Sequence, residues 1–441
     1  MRKPELLSPA GTLKSMRYAF AYGADAVYAG QPRYSLRVRN NDFNTLENLA
    51  LGINEAHALQ KQFFVTCNIS PHNSKLKTFM NDMAEVVALK PDALIMADPG
   101  LIHWVRERWS EMPIHLSVQA NTVNYATVQF WKAIGLTRVI LSRELSLDEV
   151  EEIRQTCPDI ELEVFVHGAL CIAYSGRCLL SGYMNHRDSN QGSCTNACRW
   201  NYELHPATEQ ASGDIQQYRP EPQLGAGKTV EQVFLLEEGQ RPGEFMPIFE
   251  DEHGTYIMNS KDLRAVQHVA RLVNMGIDCL KIEGRTKSHY YVARTAQVYR
   301  QAIDDAVIGK SFDMRLMDEL EKLASRGYTE GFYRRHVHDE YQNYLTGSSV
   351  GENQQFVGEV LKHDLSTGLM EIEVKNRFLV GDHLELMLPQ GNVHFNLAAM
   401  QNMRGETVEI APGSGHTMRI SSPIQEDATG GLLLRYLPNV S

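Results

Sequence analysis

The sequence contains no long hydrophobic run, which limits the classes of protein to which it can belong. No apolar stretch among the 441 residues approaches the roughly 20 residues needed to cross a bilayer. The first residues, MRKPELLSPAG, have neither the apolar core nor the cleavage site of a secretory signal. We therefore expect a cytoplasmic protein without membrane association.

An excess of positive charge is also missing. The formal net charge is −11, while 43% of the residues are hydrophobic and 22% are charged, as in ordinary soluble domains. This balance argues against a protein that coats a polyanion, although a local basic patch could still hold RNA.

Three common motifs are absent. The chain has no H-E-x-x-H, as in zinc peptidases, and no G-x-S-x-G, as in serine hydrolases. No G-x-G-x-x-G follows the first predicted strand, which disfavours an open, doubly wound dinucleotide-binding sheet.

Cysteines are few but clustered. The chain has seven, and four fall within one stretch as C-x6-C and C-x3-C pairs: Cys171, Cys178, Cys194 and Cys198. An even distribution would place only about 0.4 of them there. The first cysteine follows a buried-type strand, and the residues between the pairs are typical of a loop. Four thiolates that converge would suit an iron–sulfur cluster or a metal ion.

Other interpretations of these cysteines remain open. Structural zinc is one, although zinc ribbons usually contain C-x2-C pairs and iron–sulfur sites tolerate more varied spacing. Plain buried thiols are another. Disulfides are disfavoured because the chain has no secretory signal.

Short apolar strands alternate with amphipathic helices through the first 310 residues or so. Eight strands are predicted, at Pro4–Ser8, Ala26–Ala29, Phe63–Ile69, Ala93–Ala97, His115–Gln119, Arg138–Ser142, Leu162–Val166 and Cys279–Glu283. Eight such units predict an α/β fold, a TIM-type (β/α)8 barrel, with an open doubly wound sheet as the alternative. Loops after the strands of such a barrel carry the function, so the cysteines would lie at its mouth.

The rest of the sequence predicts an insertion, one more helix, a linker and a second domain. Residues 201–258 are polar and proline-rich, and we expect an insertion of hairpins and loops that forms either a lid or a surface decoration. A helix is expected from about Phe312 to Tyr328, and residues 343–355 resemble a linker. Short strands from Phe356 onward, including Thr407–Ile410, predict a small antiparallel β-barrel. The expected domains are 1–342, with the insertion, and 356–441.

Charged residues at the eighth strand are candidates for a site. By alternation, Lys281, Glu283 and Arg285 share one side of that strand, toward the barrel axis or its mouth. The Arg285 guanidinium suits a carboxylate or phosphate, but a structural ion pair with Glu283 is the alternative.

Further candidates lie on other predicted loops. The loop after the second strand combines Tyr34 with Arg37 and Arg39, and could hold phosphates and stack a base, or could simply be solvated. His167, four residues before Cys171, could shuttle a proton or serve a cysteine nucleophile. Lys261 could face the pocket, and Asp262 is predicted to cap a helix.

Several motifs resemble one known family. The run E-x-F-x-x-G-A-L-C-x6-C-L-x-S, residues 163–181, is similar to the signature of the collagenase-like peptidases of unassigned mechanism. The resemblance covers nearly the whole chain and includes PELLSPAG at residues 4–11, NSKDL at 259–263, KIEGR at 281–285 and RGYTEGF at 326–332.

This resemblance implies an enzyme that is not a peptidase. Several family members are iron–sulfur enzymes that hydroxylate RNA bases or the ubiquinone ring without molecular oxygen. The length and the C-terminal barrel resemble the branch that converts the wobble uridine of tRNA to 5-hydroxyuridine with prephenate. The cluster, of the 4Fe–4S type, would be held by the four cysteines and loaded by the iron–sulfur assembly machinery.

The same resemblance assigns roles to other residues. His167, Glu283 and Arg285 would be catalytic, and Lys281, Arg285 and Arg37 would bind the carboxylates of prephenate. Some relatives have a cluster cysteine where this chain has Arg264. This departure leaves the fourth ligand open, and we expect Cys198 to fill that place. A peptidase with Cys171 as nucleophile and a non-catalytic RNA-binding protein remain alternatives, as do ribosomal RNA or a ubiquinone precursor as substrate.

Overall fold

The computed structural model of the chain describes residues 2–31, 33–36, 41–170, 262–323, 327–334 and 354–437. Between residues 202 and 255 it describes six strands by their backbone alone. Structural statements below refer to these residues.

Eight parallel strands form a closed barrel, which confirms the predicted fold. Each strand pairs with the next along the chain, and the eighth pairs with both the seventh and the first. The strands are β1 (Glu5–Pro9), β2 (Ala26–Gly30), β3 (Gln62–Cys67), β4 (Ala93–Met96), β5 (Ile114–Leu116), β6 (Arg138–Ile140), β7 (Glu161–Ala169) and β15 (Cys279–Ile282).

Helices pack around this barrel, and most begin at a side chain that the sequence offers as a cap. Thr12, Thr45 and Ser288 each accept a hydrogen bond from a backbone amide of the first turn, and Ser146 forms a capping box with Glu149. The helices are α1 (Leu13–Ala21), α2 (Leu46–Ala58), α3 (Asn73–Ala88), α4 (Pro99–Arg108), α5 (Tyr125–Ala133), α6 (Leu147–Thr156), α7 (Val269–Asn274), α8 (His289–Val307) and α9 (Arg315–Glu321).

Two short strands extend the barrel wall beside β7. The strand β14 (Asp262–Arg264) runs antiparallel to β7, with Asp262 opposite Ala169 and Arg264 opposite His167, and β16 (Tyr328–Thr329) lies on its other side. The chain thus leaves the barrel after β7 and returns immediately beside it.

This strand pair corrects two expectations. Asp262 does not cap a helix, because its backbone amide donates to Gly327 O within the sheet. The helix expected from Phe312 to Tyr328 is shorter, since α9 ends at Glu321 and Tyr328 lies in β16. The residues of β14 and β16 have a helix-like pattern, but they form strands because their backbones pair with each other and, through β14, with β7.

The backbone between residues 202 and 255 is antiparallel. One sheet has the order β11–β10–β8–β9, and a separate hairpin joins β12 and β13. The strands are β8 (Tyr202–Glu209), β9 (Ile215–Gln217), β10 (Val233–Glu238), β11 (Phe245–Ile248), β12 (Glu250–Asp251) and β13 (Gly254–Thr255).

The C-terminal unit is antiparallel, as expected. Seven of its strands form one sheet and two form a separate pair. They are β17 (Gln354–Asp364), β18 (Leu369–Val374), β19 (Phe378–Leu379), β20 (His383–Leu388), β21 (Gly391–Asn396), β22 (Met400–Asn402), β23 (Ile410–Ala411), β24 (Thr417–Ser421) and β25 (Leu432–Tyr436). The strand predicted at Thr407–Ile410 is wrong, because Thr407 makes only an isolated bridge and the strand begins at Ile410. The proposed linker lies almost wholly outside the described residues.

The C-terminal unit packs directly on the outside of the barrel, against α1 and α8. Met387, Leu432 and Leu434 are fully buried within the barrel's own hydrophobic core cluster. The ring of Phe356 stacks on Tyr290 with centroids 5.4 Å apart. These apolar contacts are continuous with the core of the barrel and are expected to help hold the two units together.

Candidate functional site

The interior of the barrel contains a chain of buried charges. Lys281 Nζ lies 2.7 Å from Glu163 Oε1, and Arg138 Nη1 lies 3.3 Å from Glu163 Oε2 and 2.7 Å from Glu5 Oε1. All but Glu5 are buried. Since buried charges need partners, Lys281 is committed to Glu163, a contact that the sequence pattern could not reveal.

A cavity of about 70 Å³ opens above this layer, at the carboxyl ends of the strands. Three residues of the eighth-strand region, Lys281, Glu283 and Arg285, face it as alternation predicted. Others that line it come from five further strands and the segments after them: Tyr28, Thr66, Asn68, Ser117, Gln119, Arg143 and Phe165. This cavity, called the mouth cavity below, is the candidate functional site because loops after barrel strands carry function.

Arg285 is held against the loop that follows β2. Its Nη1 donates to Ser35 Oγ at 2.7 Å and its Nη2 donates to Leu36 O. The guanidinium also lies 5.7 Å from the centroid of the Tyr28 ring. Both of these hydrogen-bond acceptors are neutral oxygens, and together they orient the planar guanidinium.

Glu283 is fixed by a tyrosine of β2, the strand on the other side of β1 from β15. Tyr28 OH lies 2.8 Å from Glu283 Oε2 and 3.0 Å from Ile282 O. The backbone of Glu283 is bound as well, because its amide donates to His167 O and its carbonyl accepts from Tyr291 OH at 2.7 Å. Tyr28 and these backbone contacts fix the position of Glu283. The structural ion pair with Arg285 that the sequence offered as an alternative stays a prediction.

His167 faces away from the mouth cavity. The register between β15 and β7 shifts, so that Lys281 lies opposite Phe165 but Ile282 lies opposite His167. One extra residue on β7 reverses the alternation, as β-bulges do. The structure thus does not bring His167 together with Glu283 and Arg285 through their side chains.

The His167 ring lies instead among three tyrosines. Its centroid is 5.8 Å from Tyr291, 5.6 Å from Tyr299 and 5.5 Å from Tyr328. Burial, and then the positive charges of Lys287 and Arg264, lower the pKa of His167 to about 3. The ring is therefore neutral at physiological pH.

The hydrogen bonds of Tyr299 determine which nitrogen of His167 carries the proton. Tyr299 OH donates to Val166 O at 2.6 Å and accepts from the Ala265 amide at 3.3 Å. His167 Nδ1, 3.3 Å from the same hydroxyl, can then only donate to it. Nε2 is left with a lone pair that has no hydrogen-bond partner among the described residues, so it can accept a hydrogen bond.

The basic loop after β2 is only partly described. Tyr34 is fully buried, its ring packs edge-on against Phe79, and its hydroxyl contacts Asp82 Oδ2 at 2.5 Å. No face of this ring is open to stack on a base. Arg33 pairs with Asp82 at 3.1 Å, while Arg37, Arg39 and Lys261 lie outside the described residues.

The four clustered cysteines also lie outside the described residues. The other three, Cys67, Cys157 and Cys279, are buried free thiols. In the described ranges, no group of three or more His, Cys, Asp or Glu side chains is arranged to hold a metal ion. A metal centre in this chain would therefore need residues from outside the described ranges.

The larger of the two cavities described, about 850 Å³, lies at the opposite end of the barrel. It is lined by residues at the amino ends of the strands, including Glu5, Arg138 and Glu161. We favour the smaller mouth cavity as the functional site, because the loops at the amino ends of barrel strands generally serve stability.

Family models match both parts of the chain. Residues 11–343 match "Peptidase family U32", and residues 352–435 match "Peptidase family U32 C-terminal domain".

The chain belongs to peptidase family U32.

Several curated U32 relatives have names that describe an activity. "tRNA hydroxylation protein P" of Escherichia coli K12 is 65% identical over 99% of this chain and 97% of the relative. The protein of the same name from Haemophilus influenzae is 62% identical over 100% and 97%. "23S rRNA 5-hydroxycytidine C2501 synthase" of Escherichia coli K12 is 27% identical and covers 96% of this chain but 59% of the relative.

Sequence reasoning gave little weight to some residues of the U32 mouth cavity. Tyr28 and Thr66 lie inside strands and resemble ordinary core residues in the sequence. Arg143 directly follows a predicted strand and Gln119 is the last residue of one, and this position is the only feature of the sequence that marks them as candidates. Polar residues at strand ends are, however, more often parts of structural networks. None of the helices in the described ranges is long and apolar enough to span a membrane.

Proposed function

We propose that this protein is a tRNA-modifying enzyme that converts the wobble uridine to 5-hydroxyuridine without molecular oxygen, with prephenate as co-substrate and an iron–sulfur cluster as cofactor. The observation that carries the proposal is the 65% identity to tRNA hydroxylation protein P, which extends over both the barrel and the C-terminal unit. The 23S rRNA relative is less similar and longer, which favours tRNA over ribosomal RNA.

The polar character of the mouth cavity supports a small anionic co-substrate. Prephenate has two carboxylates, and the cavity presents the oriented guanidinium of Arg285. Lys281 is a weaker candidate than the sequence suggested, because Glu163 already neutralises it. The role of Arg37 stays a prediction.

The position of the cysteine segment supports the cluster. The chain leaves β7 at Ala169, two residues before Cys171, and returns at Asp262 in direct register with Ala169. Both ends of the segment are therefore fixed beside the carboxyl end of the barrel. Cys171, Cys178, Cys194 and Cys198 would hold the cluster, which would bind or activate the oxygen source when present.

The uridine must leave the stack of the anticodon loop to reach a barrel mouth. Arg33 and the adjacent Arg37 and Arg39 would contact phosphates of the tRNA, an interaction that needs only a local basic patch on an acidic protein. Such an enzyme would work in the cytoplasm and receive its cluster from the iron–sulfur assembly machinery.

Nucleoside mass spectrometry of total tRNA tests the proposal. Cells that lack the gene are complemented with the wild type, with Cys171→Ser, or with Cys157→Ser as a matched control. Cys157 is buried at the end of α6, and among the described residues its thiol makes a hydrogen-bond contact with the carbonyl of Tyr125 at 3.7 Å.

We expect deletion to abolish 5-hydroxyuridine and its derivatives, and only the wild type and Cys157→Ser to restore them. A second arm withdraws prephenate by genetic block and should give the same loss. An unchanged tRNA profile after deletion would reject the tRNA substrate and direct attention to ribosomal RNA, quinone precursors and peptides.

A further inference from the structure

We propose that Arg143 binds a carboxylate of a small organic acid, one end of which enters the mouth cavity. This inference rests on the proposed function for the identity of the acid, prephenate. It identifies a binding residue that the family motifs and the cysteine segment do not include.

Arg143 is an uncompensated cation in the described part of the chain. It follows β6, is partly buried, and its guanidinium lies 3.8 Å from the centroid of the Phe165 ring. No hydrogen bond or ion pair to this guanidinium is found among the described residues, whereas Lys281 has Glu163 and Arg285 has Ser35 and Leu36.

The contact with Phe165 orients Arg143 without using its hydrogen-bonding capacity. A guanidinium stacked on an aromatic face keeps its N–H groups in its own plane, where they can bind an oxyanion through two parallel hydrogen bonds. Because an arginine remains charged at any physiological pH, a partly buried one without an acid partner favours an anionic ligand.

Two buried polar atoms in the same cavity provide an independent observation. Among the described residues, Thr66 Oγ1 and Gln119 Oε1 have no hydrogen-bond partner, and the Thr66 residue is only 2% exposed. Both residues line the mouth cavity with Arg143. Since buried polar groups are normally hydrogen-bonded, they indicate a ligand with hydroxyl or carbonyl groups beside its carboxylate.

A phosphate of the RNA could also bind an arginine. The cavity, about 70 Å³, has the volume of a few water molecules and reaches inward to Thr66 on a barrel strand, so it has room for one carboxylate end of a small acid but not for a length of polynucleotide backbone. We therefore assign Arg143 to the carboxylate, and the experiment below separates the two sources of negative charge.

The test uses the purified, cluster-loaded, full-length protein and four forms of it: wild type, Arg143→Gln, Arg143→Lys and Arg108→Gln. Arg108 is the last residue of α4 and is exposed at the end of the barrel away from the mouth cavity. Its substitution controls for the loss of one positive charge. Calorimetry measures binding of prephenate, phenylpyruvate and succinate. Filter binding measures tRNA affinity, and unfolding midpoints check the fold.

For Arg143→Gln we expect prephenate to bind about 10- to 100-fold more weakly, the range for loss of a charged hydrogen bond. The affinity of Arg143→Lys for prephenate should lie between those of Arg143→Gln and the wild type, because the charge remains but the planar guanidinium is lost. The tRNA affinity of the Arg143 variants should equal that of the wild type. Arg108→Gln should bind both prephenate and tRNA as the wild type does.

Each contrary outcome is decisive. If Arg143→Gln binds every acid as the wild type does, or if the wild type binds none of them, the assignment is overturned. If acid binding is unchanged and tRNA affinity falls, Arg143 contacts a phosphate instead. If an acid binds through Arg143 but no 5-hydroxyuridine forms with it, the inference stands while the proposed reaction fails.

Discussion

Arg285 depends on a neighbouring residue that has no side chain. A Cβ on Gly30 would lie 2.4 Å from Arg285 Nη1 and 2.6 Å from Ser35 Oγ, well inside contact distance. The first of these atoms is the end of a flexible side chain, so Arg285 would move before the backbone does. Gly30 therefore keeps open the space that Arg285 needs.

We expect Gly30→Ala to lower kcat/KM about 10-fold or more while the unfolding midpoint changes little, because the clash is relieved by displacing Arg285. Steady-state kinetics and thermal unfolding check this. A double-mutant cycle with Arg285→Lys provides the control. If the two losses simply add, the two residues act independently and the explanation is wrong.

The neutrality of His167 predicts a pH dependence of stability. Its pKa is about 3 in the folded protein against 6.5 for the free side chain, so below pH 6.5 the unfolded state takes up a proton that the folded state does not. Stability is therefore lost as pH falls from about 6.5 toward 3, by about 1.4 kcal/mol per pH unit once the unfolded side chain is protonated.

Chemical denaturation at several pH values between 7 and 4.5 measures this effect. His167→Asn keeps a donor near the Nδ1 position but does not titrate, and its stability should fall less steeply with acid. Equal slopes for the two proteins would mean that His167 becomes protonated in the folded state, contrary to its environment.

Side-chain alternation along one strand predicted the placement of Lys281, Glu283 and Arg285 correctly. It could not predict that Lys281 would be neutralised, because Glu163 lies 118 residues away in the chain. His167 faces one side of β7 rather than the other because of a bulge, where the pairing register with β15 shifts between Lys281 and Ile282. Such non-local features leave no periodic signal in a single sequence.

At the scale of elements, the seam between β7 and β15 rests on Glu163. This carboxylate is fully buried between Lys281 and Arg138. Glu163→Gln would leave Lys281 as a buried cation without an acid partner. We expect a loss of about 3–5 kcal/mol in the free energy of unfolding, which denaturant titration would measure.

Lys281→Met is the matched comparison at the same seam. It should cost less than Glu163→Gln, because Glu163 retains Arg138 and the methionine fills a similar volume. The double variant should be more stable than Glu163→Gln alone. If Lys281→Met is the more harmful change, Glu163 is not the centre of the network.

The eight barrel strands were predictable because each is a buried apolar run with a helix after it. Their order and approximate bounds follow from that pattern. The strands β14, β16, β21 and β22 were missed because they are short or lie at sheet edges, where tertiary pairing decides the conformation and the residue pattern is weak. The cysteine segment was visible by composition alone, and its geometry lies outside the described residues.

At the scale of the whole molecule, one buried carboxylate joins the barrel to the C-terminal unit. Glu385 on β20 is bound by Arg294 of α8 at 2.6 Å and by Lys322 at 3.1 Å. Tyr436 and Gln354 also donate to it. Burial raises the pKa of Glu385, but these cations and donors outweigh burial and hold the pKa at about 2.

We expect Glu385→Gln to destabilise the docking by about 3 kcal/mol, because Arg294 is then buried with one acid partner fewer. Calorimetric unfolding should change from one transition to two, and hydrogen exchange should increase on β20 and α8. In the wild type the same contribution is lost as pH falls from about 4.5 toward 2. A single, unshifted transition for the variant would show that the apolar contacts alone hold the interface.

The return of the chain at β14 has a consequence for how such proteins can diversify. The excursion that starts after Ala169 ends at Asp262, directly opposite it in the sheet. The entropy of closing a loop grows only slowly with its length, so a longer or shorter excursion would cost the barrel little. The barrel and the segment between Ala169 and Asp262 are then free to change at different rates. Relatives that act on different substrates could differ mainly in that one replaceable stretch and still share an unaltered scaffold.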